Sequence, residues 1–470
     1  WPQAVPYLLR AADSARGAYA NQEALHLYGR VLAVAAADDQ EARFAALAGR
    51  VEIWHLLGDR ASQATDVTHL QQLARVSGPR QQARAALLAV RYYEVTADFA
   101  AQEAATGAAL QTALLAGDPG LIVEAYQAQA GLYWQEDRYT EAVRTAWRGL
   151  RLAQAQGLRS HEAAFLSMLG LIATRQSRQQ QAARFFEKSR HLHNALGNAA
   201  QLVRVNRSLA SILHEEGDYP AAAALYEQAL AFFRRIGDGR GVAGTLMDLG
   251  TIALTLGDYA AAADSFTEAR NLFAAQNDPI HEIVCLLYLA DTIREGGDPN
   301  AAEPFVAAAE ARLHNWDSSH MLRIEQYVTS CRAHISAAQG KLERAAHEFA
   351  HAIALAAAIP LPGLAAAVLA GQAQVAIARG DRTLAHSAVY ACLESIAASA
   401  GNQPLIVYHT CYMVLQALGD SEQAAAICRA AAGRLAHAAA QISDPARRQA
   451  FLTRVTVNRD IAAAATRGCS

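Results

Sequence analysis

Charge is scarce in this chain, and neither sign dominates. Lys plus Arg number 41 against 44 Asp plus Glu in 470 residues, a net charge of -3, with charged residues at 18%. Without a basic excess there is no electrostatic footprint for nucleic acid or for an anionic membrane surface. Long apolar runs are missing as well: no segment stays apolar for the roughly 20 residues that a bilayer-spanning helix needs. The six cysteines, at 285, 331, 392, 411, 428 and 469, form no CxxC pair. That excludes a thiolate zinc knuckle and speaks for a reduced, cytoplasmic setting over a disulfide framework. No GxxxxGK[ST] loop, nucleophile elbow or paired-carboxylate motif occurs, so no catalytic residue, metal ligand or cofactor site is expected. The chain opens at Trp1 and not at methionine, and is expected to be cut from something longer.

What is abundant is alanine, within a hydrophobic fraction of 53%. Alanine is the best helix former and the smallest side chain that still packs, which suits closely stacked helices. Two segments show a repeated unit: Gly217-Asp-Tyr-Pro-Ala-Ala-Ala-Ala-Leu-Tyr-Glu-Gln-Ala-Leu230 and Gly257-Asp-Tyr-Ala-Ala-Ala-Ala-Asp-Ser-Phe-Thr-Glu-Ala-Arg270. The Gly-Asp position or its equivalent recurs at Asp59, Asp98, Arg138, Arg178, Asp218, Asp258, Asp298, Lys341, Asp381 and Asp420. The spacing is forty, give or take one, except for a step of 43 before Lys341. A degenerate copy stands at the start, in Glu23-Ala-Leu-His-Leu-Tyr28.

The unit reads as helix, tight turn, helix. Gly217 and Gly257 can take the left-handed conformation that ends the first helix. Asp218 and Asp258 then cap the second, and Pro220 and Pro299 fall in its first turn, where a missing N–H costs little. Ala142, Ala222, Ala262, Ala302, Ala345, Ala385 and Ala424 keep paired helices close, while Tyr226, Phe266 and Phe349 plug the gap to the neighbouring pair. Gly157, Gly197 and Gly237 end second helices. Apolar residues recur at helical and not alternating spacing, which excludes a sheet. HEAT repeats share the period, but the Gly-Asp-Tyr-x-x-Ala-x-x-x-Tyr/Phe order resembles tetratricopeptide repeats. The expectation is an all-α, right-handed superhelical solenoid of about eleven helix pairs.

Its organisation is predicted as a degenerate pair over 1–36, regular repeats over 37–313, an irregular seam holding one repeat over 314–363, further repeats over 364–440, and a cap over 441–470. The seam is read from the polar stretch His314-Asn-Trp-Asp-Ser-Ser319 and from Ile359-Pro-Leu-Pro-Gly363, whose prolines exclude a helix. Ile442 to Phe451 reads as an amphipathic helix that Val457-Asn-Arg-Asp-Ile461 continues, covering the last apolar face.

Both ends carry a further likeness. Ala4-Val-Pro-Tyr-Leu-Leu-Arg-Ala-Ala-Asp13 with Glu23-Ala-Leu-His-Leu-Tyr28, and Asp444-Pro-Ala-Arg-Arg-Gln-Ala-Phe-Leu452 with Val457-Asn-Arg459, resemble the entry and close of the tetratricopeptide arm of bacterial STAND-type signal-transduction ATPases. A similar arm forms the inducer-binding part of the maltose-responsive transcription activator. The resemblance implies an upstream ATPase module in the full-length protein, and a ligand- or partner-binding role for the arm.

Candidate binding residues follow from the convention that first helices line the concave side. In 201–216, Leu202, Val205, Leu209 and Ile212/Leu213 make the packing stripe, leaving Arg204, Arg207, Ser211 and His214 on another. The same register picks out Glu124, Gln127, Trp134, Arg175, Asp248, Asp291, Arg294 and Tyr327. Trp134 is taken to have no packing duty, and Arg204 with Arg207, one turn apart, suits a bidentate grip on carboxylate or phosphate. His191 and His193 stand at i and i+2, the wrong spacing for a metal pair, and are expected to be exposed at a helix end; Cys411 and Cys428 are expected to be buried and structural. Two functions stay open: a sensor arm that binds a peptide, protein or small polar ligand in its groove, or a stand-alone protein-interaction scaffold.

Overall fold

The computed structural model describes residues 2–314, 321–359, 361, 363–399 and 403–468. Among these there are 24 α-helices and no strand. Eleven helix pairs run from Val5–Gly17 with Asn21–Val34 to Leu405–Leu418 with Ser421–Gln441, and two short helices, Pro445–Arg454 and Thr456–Thr466, close the array. Each helix packs on its sequence neighbours, the pattern of a tetratricopeptide-like solenoid. Among the described residues no helix is long and apolar enough to cross a membrane.

All ten turn positions are N-cap residues of second helices. Asp218 accepts from the Ala221 amide at 3.1 Å and Asp258 from Ala261 at 3.2 Å. The residue before each cap is left-handed: Gly217 at φ 88° and Gly257 at 78°, but also Ala97, Asp137 and Ser177 at 57–58°. A side chain in that region costs on the order of 1 kcal/mol, so the turn is set by the whole pair and not by glycine alone.

Between the helices, small residues meet rings. Gly250 faces Phe266 and Gly170 faces Phe186, so closely that an added Cβ would lie 2.6 Å from a ring carbon in either case. Ala142, Ala222, Ala262 and the other alanines of that series are buried, as are Tyr226, Phe266 and Phe349.

The superhelix also closes on itself. Asn21 Nδ2 donates to the Ile236 carbonyl at 3.0 Å, 215 residues away, and Arg60 Nε donates to the Gln276 carbonyl at 3.0 Å, 216 residues away. Phe99 joins the cluster of Ile283, Leu287 and Met321. One turn of the superhelix therefore rests on the next a little over five repeats later. The same holds further on, where the Tyr219 and Phe451 rings lie edge to face at 5.8 Å. Glycine permits this approach: a Cβ on Gly217 would lie 3.0 Å from the Ala438 Cβ, and one on Gly257 would lie 2.8 Å from a Val455 methyl.

One terminal detail departs from expectation. The closing segment is not one continuous helix, because Val455 is extended (ψ 112°) and docks on the Gly257 turn. Asn458 Nδ2 spans the break by donating to the Phe451 carbonyl at 3.0 Å. Within the seam, residues 315–319 lie outside the described residues; the helix Leu342–Ala357 ends before Ile359, and Gly363 is left-handed at φ 79° ahead of Ala366–Ala378.

Candidate functional site

Because first helices face inward and the turns stack, the superhelix encloses a cavity of ≈ 790 Å³. Its wall comes from the helices Pro119–Gln135, Arg159–Arg175, Gly239–Thr255, Pro279–Glu295 and Leu322–Ala338, with Phe99 and Leu361 closing it. Of the candidate residues, Trp134, Arg175, Asp291, Arg294 and Tyr327 line this cavity.

The other seven do not line it, and all but Gln127 have partners within the fold. Glu124 lies 3.5 Å from His161 Nε2, and Gln127 is half-buried. Arg204 pairs with Asp238 and lies over the Phe233 ring at 5.2 Å. Arg207 pairs with Asp248 of the next repeat, in space that Gly244 leaves open. These two arginines thus hold separate carboxylates and do not converge on one point. Ser211 donates to the Ser208 carbonyl at 2.8 Å. His214 lies 3.4 Å from the Thr255 hydroxyl and edge-on to Tyr219 at 5.5 Å; burial brings its pKa down to about 4.

Four arginines reach the cavity, and three have carboxylates. Arg240 Nε lies 3.0 Å from Asp278, Arg294 lies 3.1 Å from Asp291 and 2.9 Å from Glu295, and Arg323 Nε lies 3.4 Å from Asp137. Arg175 differs. Among the described residues no carboxylate pairs with it, and its guanidinium lies over the Trp134 ring at 5.3 Å. It is walled in yet exposed to the cavity space. Burial first, and then the charge of Arg323, push its pKa down to about 10.

Trp134 Nε1 and Arg294 Nε are buried without a hydrogen-bond partner among the described residues, and Arg323 Nε has only its 3.4 Å ion pair with Asp137. The aromatic side is ordered: Phe266 stacks on Tyr288 at 4.9 Å, Tyr288 meets Tyr327 edge-on at 6.1 Å, and the Tyr327 hydroxyl donates to Asp291 at 3.3 Å. Chemically the site can hold a partly apolar ligand bearing acceptor or anionic groups.

Arg240, Asp278 and Arg323 escape sequence reasoning because they meet the site only through stacking of distant turns. Asp278 carries one legible signal, its forty-residue offset from Asp238, but both residues also cap helices and read as such. Two expectations are corrected. Trp134 does have a packing role, against the buried cluster of Tyr139, Ala142 and Ile172, which Leu361 also covers from across the turn. His193 is 2% exposed and not a surface residue, because it falls on the buried stripe of Gln179–Ala195; His191 is exposed. Cys411 and Cys428 are buried, as expected.

Residues 201–275 match the tetratricopeptide repeat family. They span the two helix pairs Ala199–Glu216/Tyr219–Ile236 and Gly239–Thr255/Tyr259–Ala275. Among solved structures, the chain is similar to a Rap protein complexed with competence and sporulation factor, at 13% identity and a TM-score of 0.51, over 86% of this chain and 100% of that one. It is also similar to the apo form of the quorum sensor NprR from B. thuringiensis, at 14% identity and a TM-score of 0.49, over 76% of this chain and 100% of that one. Among curated protein sequences none matches. At these identities the likeness is one of fold: a superhelical stack of tetratricopeptide-like pairs.

Proposed function

We propose that the chain is the sensor arm of a signal-transduction ATPase, taking a peptide or small polar ligand into the cavity between its superhelical turns. The observation that carries this reading is the cavity itself, ≈ 790 Å³ lined by Arg175, whose guanidinium lies over the Trp134 ring and has no carboxylate partner among the described residues. The Rap structure of similar fold holds a bound factor, in keeping with such a role. The ATPase partner is supported by the end motifs, Ala4–Asp13 and Asp444–Leu452 with Val457–Arg459, which resemble the arms of that family. The arm supplies binding and no turnover of its own.

The mechanism is differential binding. The cavity wall comes from two superhelical turns, so a ligand that contacts both favours the curvature in which they lie closest. A ligand with equal affinity for both curvatures would shift nothing. The second reading, an interaction scaffold, is favoured by Val76, Leu114 and Leu115, which are 72%, 54% and 70% exposed at the ends of two successive second helices. The test is ATP turnover by the full-length protein with a random tetrapeptide pool. A rate change at concentrations that also raise the melting temperature supports the sensor. Binding with no change in turnover leaves the scaffold.

A further inference from the structure

We infer that the cavity recognises an oxyanion, a carboxylate or a phosphate, gripped between Arg175 and Arg323 of separate helix pairs, with Trp134 as its floor. This rests on the cavity being a ligand site, and it names the chemistry that the site selects.

Arg175 is the last residue of Arg159–Arg175 and Arg323 the second residue of Leu322–Ala338, so the two cations come from helices of different pairs. Both line the same cavity. Asp137 is the carboxylate nearest them, and its capacity is divided: Oδ1 accepts from the Tyr139 hydroxyl at 2.5 Å and lies 3.4 Å from Arg323 Nε. That contact is long for a hydrogen bond, and Arg175 has no carboxylate partner among the described residues. Two guanidinium groups thus meet the charge of one carboxylate that is already engaged. Like charges facing each other in a walled space repel more strongly than in water. Arg323 also sits in the first turn of a 17-residue helix whose N-cap, Met321, supplies no side-chain acceptor, and Met321 itself lines the cavity. The positive end of that helix therefore adds to the same field.

An oxyanion set between the two arginines would answer each of these features. Guanidinium forks match carboxylate and phosphate geometry in two-point contacts. Because the arginines belong to helix pairs several repeats apart, the anion also ties those pairs together, which links recognition to superhelical curvature.

The test uses the 470-residue chain, read by thermal shift and tryptophan fluorescence with three probes: a random tetrapeptide pool with free C-terminal carboxylates, the same pool amidated, and inorganic phosphate. The variants are R175Q, R175K and R323Q. Binding of the free-carboxylate pool over the amidated one, weakened about tenfold or more in R175Q and R323Q and only partly kept in R175K, supports the grip. Without ligand, R175Q should melt close to the native chain, since it removes a repelling charge and breaks no ion pair, losing only the contact over the Trp134 ring; a marked drop would overturn the unpaired-cation premise. Phosphate binding that R175Q abolishes, with neither pool bound, supports the oxyanion site and removes the peptide form of the sensor reading. Equal binding of both pools, indifferent to R175Q, overturns the grip and leaves the cavity reading standing. Binding of none of the three overturns both.

Discussion

Truncating Phe451 to alanine tests whether the superhelix is a linear stack or a closed one. Phe451 is 1% exposed on the closing helix Pro445–Arg454, and its ring meets Tyr219, about five repeats earlier. It shares a buried cluster with Tyr226, Leu435 and Ile461. Removing a fully buried phenyl ring costs about 3–5 kcal/mol, the lost transfer energy plus the cavity left behind. In a strictly nearest-neighbour solenoid that loss stays in the last pair and its cap. Here it should reach the sixth pair through Tyr219. Amide hydrogen exchange read by mass spectrometry separates the two cases. Opening within 421–466 should speed up by roughly two to three orders of magnitude, at about 1.4 kcal/mol per tenfold. Peptides covering 217–226 should speed up by a smaller factor of about ten, and those covering 139–155 not at all. Unchanged exchange over 217–226 would refute the coupling between turns, and a uniform acceleration along the whole chain would refute its locality.

The remaining predictions concern the packing code and pH. Glycine to alanine inside a helix ordinarily stabilises by about 1 kcal/mol, but at Gly250 the new Cβ would lie 2.6 Å from the buried Phe266 ring. Overpacking of about 1–3 kcal/mol should outweigh the propensity gain, so G250A should unfold at lower urea than the native chain, and a gain in stability would sink the interlocking account. His334 is brought down to about 4 by burial, with Arg294 adding to the shift and Asp291 opposing it. An unfolded histidine titrates near 6.5, so below that pH the unfolded chain takes up a proton that the folded one refuses. Stability present above about pH 6.5 is therefore lost as pH falls toward about 4. H334Q should make the melting-temperature profile less steep across that window without flattening it, since burial also brings His214 down to about 4; an unaltered slope would show that His334 does not contribute.

Local chemistry recurs along a chain, so the repeat could be read from residues alone. A cap needs an acceptor at one position, a left-handed turn is easiest for glycine one residue earlier, and a close helix pair needs alanine or glycine opposite a ring. Asp218, Gly217 and Ala222 state those needs within six residues, and forty-residue copies repeat them. The candidate site was legible only where a residue's role depends on its own helix face: Trp134, Arg175, Asp291, Arg294 and Tyr327 share the inward register. Superhelical pitch decided the rest. It is the sum of small rotations at every pair, and no single position encodes it. That sum brings Phe99 to the Ile283 cluster, Leu361 to the Tyr139 cluster and Tyr219 to Phe451. It also leaves Arg175 at the cavity without a carboxylate partner among the described residues, while Arg204 and Arg207, equally cationic in sequence, are taken up by Asp238 and Asp248 of the neighbouring repeat.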